Sequence, residues 1–173
     1  MRKSAYGFTL VELLVVIAVM ALISTVVLAN YRSFGEDQKL KNAVLDIQSQ
    51  LRSAQTNATT NIKCKTKTAD YWRISIFGQT DIRLRCIEFN PFPNIVDKKL
   101  TLDPNIQIDS VSGNPAAFCP SVLSFDITFA PLTGKITLGS TTNCTSLTVT
   151  LKNTKTGNTK SLVIEQGGRI YAQ

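Results

Sequence analysis

The strongest constraint in this chain is an unbroken apolar run, residues 8–29, whose only polar members are Thr9, Glu12, Ser24 and Thr25. As a helix at about 1.5 Å per residue it would be roughly 33 Å long, enough to cross a bilayer core of about 30 Å. An ordinary secretory signal has a shorter apolar region of about 7 to 15 residues that ends at a small-residue cleavage site, so that reading fits less well. The leader 1–7 carries Arg2 and Lys3 ahead of the run. Positive charge there keeps the N-terminus in the cytoplasm and sends the remainder outward. A single-pass protein with its bulk outside the cytoplasm is expected. Glu12 is the anomaly, because a carboxylate at the centre of such a span costs about 2.5–3.5 kcal/mol on insertion scales. It is either kept for a cationic partner or hydrated at the cytoplasmic interface.

Beyond Asn30 and Tyr31 the pattern becomes amphipathic. Leu40, Val44, Ile47, Leu51, Ala54 and Ala58 recur at steps of three or four, which is one helical stripe. Lys39, Lys41, Asn42, Asp46, Gln48, Gln50 and Arg52 stand between them, suited to solvent or to neighbouring subunits. The stripe covers fewer heptads than a coiled coil needs, so packing against the chain's own sheet is favoured. Asn57, Thr59, Thr60 and Asn61 are weak helix formers, and the helix is expected to end within 57–62 after some fifty residues.

After Cys64 the chemistry changes to short Ile, Val, Leu, Phe and Thr runs punctuated by Gly, Pro, Asn and Asp. Strands are expected at 71–77, 82–89, 100–102, 106–111, 122–129, 135–138, 147–151 and 161–165. Clean alternation at 82–86 and 147–151 argues for antiparallel strands with one buried and one wet face. Pro131 with Gly134, and residues 153–157, read as hairpin connections, whereas 90–94, with two prolines, reads as a loop.

Composition narrows the chemistry. The chain has no His, which removes the Ser-His-Asp triad, the Cys-His dyad and any His-built zinc site. Cys64, Cys86, Cys119 and Cys144 lack the paired short spacings of a zinc site, so no metal is expected, and a CxxC redox motif is absent. Four cysteines in an exported domain make two disulfides. Three complete pairings are open, and the neighbour pairing Cys64–Cys86 with Cys119–Cys144 is preferred over the others and over four free thiols. No site supports an enzyme, a cofactor or a small-molecule substrate. The formal charge of +7 leaves room for an anionic partner, although a solvated basic surface is the commoner cause.

The segment Gly7-Phe8-Thr9-Leu10-Val11-Glu12-Leu13-Leu14 resembles the processing site of type IV prepilins, shared by type IV pilins and type II secretion pseudopilins. The resemblance implies that a membrane-embedded prepilin peptidase cuts after Gly7 and methylates the new N-terminus at Phe8. It also implies that Glu12 neutralises the N-terminal amine of a neighbouring subunit during assembly. Loss of Arg2 and Lys3 with the leader would lower the formal charge from +7 to +5. The implied fold is α+β: a long N-terminal helix, its first half transmembrane, packed on a C-terminal antiparallel β-sheet domain. The expected divisions are a leader at 1–7, a transmembrane and filament-core helix at 8–30, an amphipathic continuation at 31–62 and a disulfide-braced β domain at 63–173. Other pilin subunits, the peptidase and the inner membrane are the implied partners, with the globular part in the periplasm until it enters a pilus or pseudopilus.

Three later segments resemble a narrower group, the GspH/FimT-type minor pilins and pseudopilins. They are 51–58 (LRSAQTNA), 127–135 (ITFAPLTGK) and 168–171 (GRIY). Some FimT-like members bind DNA through a C-terminal Gly-Arg-x-Arg motif. Gly168 and Arg169 match that motif, and Tyr171 replaces its second arginine, leaving a ring on which a base could stack. With Lys135, Lys152, Lys155 and Lys160 this end carries net +4 against Glu165, and 63–85 carries a second net +4. Alternation would place Arg73, Arg83 and Arg85 on a solvated face. The reading that results is a non-enzymatic minor pilin acting in pilus assembly. The alternatives are a minor pseudopilin of type II secretion and a pilus-displayed DNA-binding module; a major pilin shares the same N-terminus.

Overall fold

The computed structural model describes residues 9–64, 69–90, 92–119, 123–139 and 143–173. The chain divides into two compact units, one ending at Glu36 and the other Asp37–Gln173, each described by itself below. One helix, α1 (Leu10–Thr59), is followed by strands β1 (Tyr71–Phe77), β2 (Asp81–Asn90), β3 (Phe92–Thr101), β4 (Ile106–Asn114), β5 (Ser124–Phe129), β6 (Ile136–Leu138), β7 (Ser146–Asn153), β8 (Thr159–Glu165) and β9 (Ile170–Ala172). The result is the α+β layout of a helix packed on antiparallel sheet, like that of type IV pilins.

α1 is 50 residues long and ends inside the expected window. The Thr59 and Thr60 hydroxyls donate to the Thr56 carbonyl at 2.9 and 2.7 Å, drawing the last turn toward side-chain bonds. Asn61 then takes a left-handed conformation (φ 53°), a residue type that tolerates this C-terminal cap. Among the described residues no helix is long and apolar enough to cross a membrane.

In the second unit the strands form two sheets, ordered β3-β2-β1-β5-β6 and β4-β7-β8-β9, with every pairing antiparallel. A side-chain turn separates them: the Asp103 carboxylate accepts from the Asn105 backbone N–H at 3.0 Å, and β4 sets off in the other sheet. Both inner faces meet one core. Leu40, Ala43, Val44, Ile47, Leu51, Ala54 and Ala58 of the helix cluster with Ile74, Ile76, Phe125, Ile127 and Phe129 of one sheet. From the other sheet Ile106, Ile108, Leu147, Val149, Leu151, Leu162 and Ile164 join the same cluster. β7 alternates buried and half-buried positions along its whole length, as a strand with one wet face should.

Several expected boundaries shift. The loop expected at 90–94 is instead the tight join of β2 and β3, with Asn90 opposite Phe92 and Phe89 opposite Pro93; Pro91 itself lies outside the described residues. Pro93 is tolerated because β3 is an edge strand, whose outer side needs no donor. The strand expected at 100–102 is the end of this longer β3. Val122, the expected start of the fifth strand, also lies outside the described residues. β9 has no counterpart among the expected strands, since three residues carry too little alternation to read, yet Ile170 and Tyr171 pair with Ile164 and Val163.

The cysteines join as Cys64 with Cys86, Cα atoms 5.6 Å apart, and Cys119 with Cys144, 4.9 Å apart. The first ties the segment after α1 to β2, and the second ties the segment after β4 to the approach to β7. Gly113 on β4 makes room for the second bridge: a Cβ there would run into the Cys119 side chain and come within 3.0 Å of the Ser146 carbonyl oxygen. Gly113→Ala is therefore expected to cost about 1–3 kcal/mol, the usual penalty for overpacking. Urea unfolding followed by Trp72 fluorescence measures it. The cost should shrink when Cys119 and Cys144 are both alanine, because the segment at 119 is then free to move away from β4.

Candidate functional site

Two regions carry the residues singled out from the sequence. At the head of α1, Thr9 is the N-cap: its hydroxyl accepts from the Glu12 backbone N–H at 3.2 Å. Glu12 Oε2 in return accepts from the Thr9 N–H at 2.9 Å and from the Thr9 hydroxyl at 3.0 Å. This reciprocal arrangement is a capping box, Thr-Leu-Val-Glu, satisfying donors that a helix start otherwise leaves unpaired. Behind it Leu10, Val11, Leu13, Leu14, Val15, Val16, Ile17, Val19, Met20, Leu22 and Ile23 are all exposed. So much contiguous apolar surface marks an interaction region, either protein or lipid. Gly7 and Phe8 lie outside the described residues.

The second region is the C-terminal turn with β9. Gly168 takes φ +97°, a conformation that favours glycine, and a Cβ there would approach the Gln55 amide nitrogen to 2.9 Å. Three side chains of α1 hold the segment: Gln48 and Arg52 donate to the Ile170 carbonyl at 2.9 and 3.2 Å, and Gln55 donates to the Gly168 carbonyl at 3.3 Å. Gln48, half-buried, and Arg52, exposed as expected, are thus also fastened to the chain's own C-terminal strand. Positions 48, 52 and 55 repeat the helical spacing one step beside the apolar positions 47, 51 and 54, and that adjacency was the available signal. An open groove of about 490 Å³ lies here, lined by Arg52, Gln55, Thr56, Gly168, Arg169 and Tyr171 among others.

Arg169 is 75% exposed, but it is not electrostatically alone. Its guanidinium lies 3.8 Å from Glu165 and 5.4 Å from the centre of the Tyr171 ring, and the Tyr171 hydroxyl donates to Glu165 at 3.3 Å. The other candidate cations are elsewhere. Lys152 pairs with Asp109 at 3.8 Å, and Lys155 and Lys160 flank the β7–β8 turn, at the opposite end of β8 from Arg169. At about 3.3 Å per residue, Lys160 and Glu165 are roughly 17 Å apart along the strand. The structure therefore separates Lys152, Lys155 and Lys160 from Arg169 within the basic cluster expected at this end.

The arginines expected on a solvated face form a half-buried network. Arg73 pairs with Asp126 at 3.0 Å, Arg83 with Asp81 at 2.9 Å and Asp97 at 3.2 Å, and Arg85 with Asp97 at 3.6 Å. Arg73 also lies over Tyr71, and Arg83 and Arg85 over Phe77. The register explains the pairing: β3 and β5 bring Asp97 and Asp126 beside the arginines of β2 and β1, from positions outside the basic stretch 63–85.

Residues 2–28 match the family described as the prokaryotic N-terminal methylation motif. No curated protein and no solved structure matches the chain. The motif supports a type IV pilin-like prepilin, a structural kind of protein, and implies association with other pilins and with the prepilin peptidase.

The Arg83 hydrogen bond holds Asp81 below the ordinary carboxylate range. A carboxylate whose folded value is depressed contributes stability above its unfolded value of about 3.9 and loses it as pH falls through the folded value. Asp81→Asn should therefore flatten the acid limb of stability: urea midpoints of the two proteins should differ near neutral pH and converge as the pH falls through the depressed value of Asp81.

Proposed function

We propose that the chain is a minor type IV pilin, a structural subunit that acts in pilus assembly or initiation. The observation that carries this reading is the methylation motif over residues 2–28, joined to a helix-on-antiparallel-sheet unit. In this reading the bond after Gly7 is cut, Phe8 becomes the methylated N-terminus, and 8–29 anchors the subunit in the inner membrane with its globular unit in the periplasm. The apolar head of the helix then leaves the bilayer for the filament core, and Glu12 neutralises a neighbour's N-terminal amine. Such a pair sets register more than it adds stability, since desolvation offsets much of the attraction.

The GspH/FimT-type subtype draws support from where its three segments fall. The end of α1, the β5–β6 turn and the C-terminal turn gather around Gln55. The Leu132 N–H donates to the Ala58 carbonyl at 2.9 Å, a Cβ at Gly134 would touch Thr59 and lie 3.7 Å from Gln55, and Gln55 bonds Gly168. A minor pseudopilin of type II secretion would be built from the same parts. A DNA-binding role has one observation in its favour, the exposure of Arg169 beside Arg52 and Tyr171 in a shared groove. Glu165 and the distance of Lys152, Lys155 and Lys160 count against it.

Glu12→Leu tests the assembly role: the subunit should still insert into the membrane, while its amount in sheared filaments should fall to background. Wild-type incorporation of the variant would refute the role. For the DNA reading, Arg169→Ala should weaken duplex binding and reduce the salt slope by about one. An unchanged slope would remove that reading.

A further inference from the structure

The capping box gives Glu12 a partner within its own chain, and this bears on how the carboxylate is presented. Both bonds from Thr9 end on one oxygen, Oε2. Among the described residues Oε1 accepts none. The carboxylate is bent back toward the start of the helix, because Thr9 is the N-cap and Glu12 stands three residues further on. We propose that Thr9 is a positioning residue for assembly: it holds Glu12 by one oxygen and so presents the other, Oε1, to a cationic amine of a neighbouring subunit. This rests on the assembly reading above.

Three physical points support it. A carboxylate in apolar surroundings is costly unless donors satisfy it, and Thr9 supplies an N–H and an O–H from the same chain. A free glutamate side chain would sample several rotamers and extend toward the nearest water, whereas the capped one has its direction fixed before any neighbour arrives. Finally, the bond cut in the proposed processing joins Gly7 to Phe8, so the Thr9 amide is left whole and the box can outlast the leader.

Charge and cap can be separated by substitution. Glu12→Gln keeps a side chain that serves in a capping box and removes the charge. Thr9→Val keeps the charge and the shape of residue 9 and removes the hydroxyl, and Thr9→Ser restores the hydroxyl. The full-length chain is expressed with its pilus machinery, and its amounts in sheared filaments and in the membrane are compared for each variant. Hydrogen exchange of the Glu12 amide in detergent micelles reports the cap directly. The expected result for Thr9→Val is a loss of filament incorporation, with exchange at Glu12 faster by about five-fold, the factor that a lost N-cap hydroxyl carries. Thr9→Ser should restore both. Wild-type incorporation by Thr9→Val, unchanged exchange at Glu12 in that variant, or failure of Thr9→Ser to rescue would each overturn the proposal. Wild-type incorporation by Glu12→Gln would instead overturn the assembly reading on which it rests.

Discussion

The buried stripe of α1 is the contact on which the globular unit depends. Leu40, Val44, Ile47, Leu51, Ala54 and Ala58 are almost wholly removed from water, and strands of both sheets meet them in one core. Neither sheet alone could bury its inner face, since a sheet with one apolar side must be covered. The helix also fastens the ends of the fold: the polar positions beside its stripe hold the C-terminal strand, and its last turn receives the β5–β6 turn through Ala58.

Local pattern makes the helix legible, both its stripe and its end, because a 3.6-residue period sustained over about five turns has few rival explanations. The longer strands are legible for the same reason. Division into two sheets is not, because it depends on which strands pair at long range, and alternation carries no record of partners. Pro93 misleads for a related reason: whether a proline is tolerated depends on the strand lying at an edge, a property of the finished sheet.

Charge is the least legible quantity. The net +7 reads as a basic protein, yet Arg73 and Arg85 are matched by aspartates that arrive from other strands, Arg83 by Asp81 of its own strand as well as by Asp97, and Arg169 faces Glu165. Sequence proximity groups Lys152, Lys155 and Lys160 with Arg169, whereas the length of β8 keeps them apart. At the N-terminus the reverse holds. The capping box is local, spans Thr9 to Glu12, and is readable from the spacing alone; the functional interest of Glu12 draws attention from its neighbour.

The chain combines an exposed apolar helix head, whose first carboxylate is held by its own N-cap, with a globular unit locked by two disulfides. That combination suits a subunit whose head must find other helices while its bulk stays folded in an oxidising compartment. The central claim is that the chain is processed and assembled as a pilin, and the most direct measurement is the N-terminus of the protein recovered from sheared filaments, by mass spectrometry of its N-terminal peptide. The account predicts a chain beginning at Phe8 and carrying an N-methyl group. A chain that retains residues 1–7, or that never reaches the filament fraction, would contradict it.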